Sequence, residues 1–98
     1  MSRELIVRPE AEAELAEAFE WYESRIPGLG LDFIRVVDSL FNSILHNPLM
    51  YPVVYKTVRR GLTRRFPYEA FFLVEPATVV ILAVFHAKRN PQGWQERI

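Results

Sequence analysis

Over residues 9–25 the apolar side chains Ala11, Leu15, Ala18, Phe19 and Tyr22 recur every three to four positions, with Glu10, Glu14, Glu17 and Glu20 between them. That spacing predicts an amphipathic helix with an acidic outer face. Pro9 and Glu10 suit its first turn, where a missing N–H costs nothing and an acid complements the helix dipole. Residues 3–8 before it form a short β-compatible run, so a strand hands over to the helix. Ile26-Pro27-Gly28-Leu29-Gly30 then breaks the period. It is too short for a domain linker and right for joining two antiparallel helices. A second stripe, Ile34, Val37, Phe41, Ile44 and Leu45, predicts a helix over 31–46 that Asn47-Pro48 stops. His46 falls in its last turn, where a histidine complements the helix C-terminus.

After Pro52 the period becomes extended. Residues 53–56, 58–66, 68–74 and 78–86 are rich in β-branched and aromatic side chains, with Glu75-Pro76-Ala77 as a tight connection. Links this short favour antiparallel hairpins, because a parallel pair needs a crossover of a dozen residues or more. The stretch 79–85 is apolar on both parities, as expected of a central strand covered on both faces or of one with a side capped by the helical hairpin. The order β-α-α-β-β-β is an α+β domain spanning 1–98. An N-terminal strand precedes an antiparallel helical hairpin, which packs on a three- to four-stranded, mainly antiparallel sheet. Leu15, Phe19, Ile34, Val37 and Phe41 are expected to lie between hairpin and sheet.

Composition narrows the chemistry. Half of the 98 residues are hydrophobic and 24% are charged, enough apolar surface for a real core. Cysteine is absent, and His46 and His86 are not spaced as ligands, so neither a disulfide nor a metal is expected. The run 79–85 is far short of a bilayer span, and no secretory leader core is present; the expected compartment is the cytoplasm, without membrane contact. The one GxG, Gly28-Leu29-Gly30, lies between helices and lacks a preceding strand, so no nucleotide cofactor is implied. Nor is there a nucleophile elbow or a Ser/His/Asp grouping. The acids of the first helix read as solvated charge.

The net charge of zero conceals an asymmetry. Residues 1–40 carry four basic and nine acidic side chains, net −5, while 41–98 carry eight and three, net +5. Lys56, Arg59, Arg60, Arg64 and Arg65 fall within ten positions that hold no acid. Such a run either guards a solvated edge strand or forms a positive binding patch. A second cationic stretch, His86-Ala87-Lys88-Arg89 with Trp94 nearby, follows the last strand. Charge with interleaved aromatics can hold phosphates and bases, or dock an acidic protein surface.

Trp21-Tyr22, then Pro27-Gly28-Leu29-Gly30 and Phe33, Tyr51-Pro52, Arg65-Phe66-Pro67-Tyr68, and finally Ala83-Val84-Phe85-His86 with Arg89, Pro91 and Trp94, resemble the RelE/ParE superfamily of bacterial toxins over nearly the whole chain. The resemblance implies a helical hairpin on an antiparallel sheet and a growth-inhibiting activity. It also implies a cognate antitoxin, whose C-terminal segment wraps the toxin in a hetero-oligomer. Two activities divide the superfamily. RelE-type members cut messenger RNA in the ribosomal A site; ParE-type members poison DNA gyrase. In the RelE type an arginine follows the tyrosine that opens the strand after the basic hairpin, and Glu69 follows Tyr68 here. A second arginine after the last strand aligns with Ala87, or is displaced to Lys88 or Arg89, and a C-terminal tyrosine is replaced by Trp94. The stretch Val84-Phe85-His86 followed by Asn90 is more similar to the ParE branch. A ribonuclease reading would use Arg64, Arg65, His86, Lys88 and Arg89. The binding reading places Arg59, Arg60, Arg64, Arg65, Tyr68, Lys88, Arg89 and Trp94 against antitoxin or target. An inactive relative that only binds an antitoxin is the third alternative.

Overall fold

The computed structural model describes residues 3–98. In chain order it contains β1 (Glu4–Val7), α1 (Pro9–Arg25), α2 (Leu29–His46), a 3-10 turn at Pro48–Met50, β2 (Val53–Tyr55), β3 (Val58–Leu62), β4 (Tyr68–Val74), β5 (Thr78–His86) and the short α3 (Gln92–Gln95). One five-stranded sheet runs β1-β5-β4-β3-β2. Its four later strands are joined antiparallel, as the short links require. The strand count exceeds the expected three or four because β1 joins the same sheet, parallel to β5 with Val7 opposite Ile81. The helical hairpin and three strands form the long crossover that a parallel pair needs. This makes β5 internal, and Val79 to Phe85 are all buried.

The hairpin covers one face. Phe33, Val37, Phe41 and Ile44 from α2 are buried in one cluster with Phe72, Val79, Ile81 and Val84. Tyr22, Phe33, Phe66 and Tyr68 meet edge to face at one end of it, with Tyr22 and Phe66 centroids 4.9 Å apart. Of the five side chains expected in this layer, Val37 and Phe41 are fully buried, while Leu15, Phe19 and Ile34 are half-buried. The reason is that α1 approaches through small residues: its two buried positions are Ala11 and Ala18. Gly30 allows the same closeness between helices, since a Cβ there would lie 2.8 Å from the carbonyl oxygen and ring of Phe19.

Two boundaries and one element differ from the expected ones for local reasons. Helix α2 starts two residues early because Glu23, from α1, accepts the N–H groups of Gly28 and Gly30 at 2.9 Å each, while Gly28 turns with φ +91°. Strand β3 stops at Leu62, not 66, because the Thr63 hydroxyl donates to the carbonyls of Phe66 and Tyr68 and Arg65 adopts φ 66°. The last helix, α3, was not anticipated. It carries Trp94 onto the second face of the sheet, stacked on Phe71 with centroids 4.1 Å apart. Around that pair Val58, Val80, Leu82 and Phe85 form a smaller core.

Candidate functional site

The basic run does not act as one patch. Strand alternation sends Arg59 and Arg60 to opposite faces of β3. Arg59 donates to the carbonyl of Tyr51 at 2.6 Å, tying the 48–51 turn to the sheet. Arg60 reaches across to Glu69 on β4 at 3.5 Å, and its Nε is buried without a partner. Lys56, in the tight β2–β3 turn with φ 51°, lies over the Tyr55 ring. Arg64 and Arg65 stand exposed on the 63–67 loop, Arg65 within 3.8 Å of Asp32 on α2. Beside them a groove of about 500 Å3 runs between α2 and the β2–β3 edge, lined by Val36, Leu40, Tyr51, Leu62 and Arg64 among others. Leu49, Met50, Val53 and Leu62 are exposed. The β2 edge of the sheet is therefore apolar with a cationic border.

On the face opposite the hairpin, a cavity of about 310 Å3 is walled by Arg60, Glu69, Ala87, Arg89 and Trp94. It gathers the positions, 69, 87 and 94, where the superfamily resemblance looks for two arginines and a tyrosine. A carboxylate, a methyl group and an indole stand there instead. Trp94 is 2% exposed and its indole N–H has no partner. Its place is inside the second core, stacked on Phe71, which makes it a packing residue rather than a contact surface.

The ribonuclease set is divided between two cavities. Arg64 lines the α2 groove, whereas His86 and Arg89 line a third cavity beside α1. Lys88 is exposed after β5, and its backbone N–H donates to His86 Nδ1 at 3.1 Å. That bond requires a lone pair on Nδ1, so the neutral imidazole carries its proton on Nε2. His86 packs edge-on to Tyr68, with centroids 5.4 Å apart. Tyr68 is half-buried and its phenol is raised above the ordinary tyrosine range, first by burial, then by Tyr22 and Glu17, with Arg89 opposing. Burial raises the Tyr22 phenol as well. His46 plays the structural part expected of it, bonding the Asn42 carbonyl at 2.8 Å through Nδ1.

Three residues escaped the sequence reading. Glu14 reads as solvated charge in the sequence, yet its side chain is 10% exposed and its Oε1 accepts the Val84 N–H at 2.9 Å. Arg97 pairs with it at 2.7 Å and also donates to the Leu82 carbonyl. Glu23 is the cap of α2 described above. The position of Glu14 was available as a signal: three residues after Ala11 and four before Ala18, it lies on the inward stripe of α1. Among the described residues no group of three or more acidic or histidine side chains could hold a metal.

Comparison with known proteins agrees with this architecture. A chain from the chromosomal ParDE TA system of P. aeruginosa superposes with a TM-score of 0.79 at 20% identity, covering 89% of this chain and 98% of that one. Toxin ParE2 of Mycobacterium tuberculosis, strains CDC 1551 / Oshkosh and H37Rv, is 28% identical over 99 residues, all of this chain and 94% of the relative. Residues 5–91, from β1 to the start of α3, match the family described as the ParE toxin of type II toxin-antitoxin system, parDE, and the chain belongs to that family of toxins.

Proposed function

We propose that this toxin arrests growth by binding and poisoning DNA gyrase, and that a cognate antitoxin holds it inactive by occupying the groove along α2 and the β2–β3 edge. The observation that carries the first part is the cavity around Glu69, Ala87 and Trp94. RNA cleavage needs cations that steady the phosphate and its developing charge, with an acid to protonate the leaving oxygen. Glu69 repels a phosphate, Ala87 supplies nothing, the arginines in the wall are already engaged, Arg60 by Glu69 and Arg89 by Glu14 and the Phe85 ring, and the Trp94 indole is not an acid at physiological pH. A toxin without those groups acts by occupying a protein target, and neither metal nor organic cofactor is called for. The second part rests on the groove's chemistry: exposed Leu49, Met50 and Leu62 beside Arg64 and Arg65 suit a segment of mixed acidic and apolar residues. Target and antitoxin alike place the action in the cytoplasm.

Pulse labelling after induction in a bacterium separates the mechanisms. Early loss of DNA synthesis with DNA-damage signalling is the expected result. Early loss of translation, with codon-specific breaks in messages that vanish in His86→Ala or Arg89→Ala, would establish the ribonuclease instead.

A further inference from the structure

Strand β1 stops short of its neighbour. Its register ends with Val7 opposite Ile81, and Arg8 donates the last backbone bond, to the Ile81 carbonyl. The rest of β5 therefore has an open edge on that side. In the ladder with β4, Tyr68 and His86 face each other, but Tyr68 uses its N–H and C=O on Phe66 and Thr63. By the alternation of an antiparallel ladder, the backbone groups of Val84 and His86 then point to the open edge. The Val84 N–H is taken by Glu14. The Val84 C=O and the His86 N–H face a cavity of about 500 Å3 between α1 and this edge, a space distinct from the groove assigned above to the antitoxin.

The cavity's chemistry is specific. Trp21, Tyr22, Tyr68, His86 and Glu17 line it, together with Arg89, whose charge is met by Glu14. Glu14 is already neutralised by Arg97 and Arg89, the latter held over the Phe85 ring at 3.9 Å. Glu17 makes no ion pair among the described residues. Among the described residues no hydrogen bond engages the phenols of Tyr22 and Tyr68, which remain available as acceptors. Trp21 is 54% exposed, and its ring already draws the Arg25 guanidinium to 4.5 Å. Aromatic faces, phenol oxygens and a free carboxylate together select a cation, and a planar guanidinium stacks on such rings better than an ammonium does.

We propose that this cavity is a second docking site, which takes an extended segment of a partner protein along the free edge of β5 and seats one of its arginine side chains among Trp21, Tyr22, Tyr68 and Glu17. The partner is basic where the antitoxin segment is acidic, matching the acids of α1 that flank the site. Backbone pairing supplies the edge contact and the arginine pocket supplies the selection. The site depends on neither the gyrase reading nor the antitoxin groove, so both can fail without touching it.

The test uses the full chain, 15N-labelled, and three blocked tripeptides: Val-Arg-Val, Val-Lys-Val and Val-Glu-Val. Val-Arg-Val should move the His86 amide and Trp21 indole signals saturably, Val-Lys-Val more weakly, and Val-Glu-Val not at all. Glu17→Gln, at an exposed position that leaves the fold intact, should weaken the arginine peptide about threefold, the range of a screened ion pair. Trp21→Leu should weaken it by a similar factor through the lost ring face. Equal shifts with the glutamate peptide, unchanged affinity in Glu17→Gln, or saturable shifts confined to the Leu49–Met50 groove would each overturn the proposal. Self-association on concentration that Glu17→Gln abolishes would overturn it too, by making a second copy of the chain the occupant.

Discussion

At the scale of single residues, Glu14 does work that no other acid of α1 shares. Beyond the end of β1 the edge of β5 would expose unpaired backbone groups, and a carboxylate on the adjacent helix takes one while its ion-pair partner Arg97 takes the next. Removing the carboxylate strands the Val84 N–H and leaves a largely buried guanidinium uncompensated. Glu14→Ala should therefore lower stability by about 2 to 4 kcal/mol in urea unfolding, whereas Glu14→Gln, which keeps an acceptor, should lose about half of that. Exposed Glu20 is the control, and its alanine variant should stay within about 0.5 kcal/mol of wild type. The half-buried phenols of Tyr22 and Tyr68 give a second residue-scale outcome. Tyr22 and Tyr68 are raised above 10.0 when folded, so the folded state holds its protons longer than the unfolded chain does. Their contribution is complete below pH 10 and is lost as pH rises through the folded values, so stability falls with alkalinity. Absorbance at 295 nm should show the Tyr22 and Tyr68 phenols ionising late, and together with unfolding.

At the scale of elements, the hairpin is held by fit between two helices of unlike surface. α2 presents large side chains and α1 presents alanines, so emptying an α2 site leaves a hole that α1 cannot fill. Phe41→Ala should lower stability by about 3 to 5 kcal/mol. Gly30→Ala is the sharper case. In an ordinary helix interior that change stabilises by about 1 kcal/mol, but here the new methyl meets the Phe19 backbone, and the change should destabilise by about 1 to 3 kcal/mol. A denaturation midpoint at or above wild type would show that the helices can part without loss. These elements were legible in the sequence because their signals are local: the 3.6 period of 9–25, the break at 26–30, and the both-faces apolarity of 79–85. The parallel seating of β1 beside β5 was not, since nothing within residues 3–8 records which distant strand they will meet. The same holds for α3, whose four residues have no period and are fixed by the packing of Trp94 on Phe71. At the candidate site, the residue types at 69, 87 and 94 could be read directly, but that they share one cavity is a product of the tertiary fold. Arg59 and Arg60 look equivalent to Arg64 and Arg65 in the sequence. Strand alternation makes the first pair tethers and the loop leaves the second pair exposed.

At the scale of the molecule, the charge sorted along the chain is also sorted across the sheet. The acidic helix α1 lies against β5, with which it makes most of its sheet contacts, while Lys56, Arg64 and Arg65 border the opposite, β2–β3 side. A partner with an acidic, apolar C-terminal segment should accordingly be steered to that second edge, and the steering should reside in the exposed cations only. Long-range attraction acts on the rate of encounter, whereas the lifetime of the complex depends on apolar side chains that must leave the groove on dissociation. Arg64→Glu together with Arg65→Glu should slow antitoxin association about tenfold at low ionic strength, flatten its salt dependence, and change the off-rate much less. Leu62→Ser, in the groove itself, should do the reverse. Arg60→Glu is a poor probe of steering, because that side chain is engaged by Glu69 and its loss disturbs the sheet. Stopped-flow mixing at two salt concentrations distinguishes the rates. If the double reversal left the association rate and its salt dependence untouched, the exposed arginines would be guards of a solvated edge, and the antitoxin would have to enter by another face.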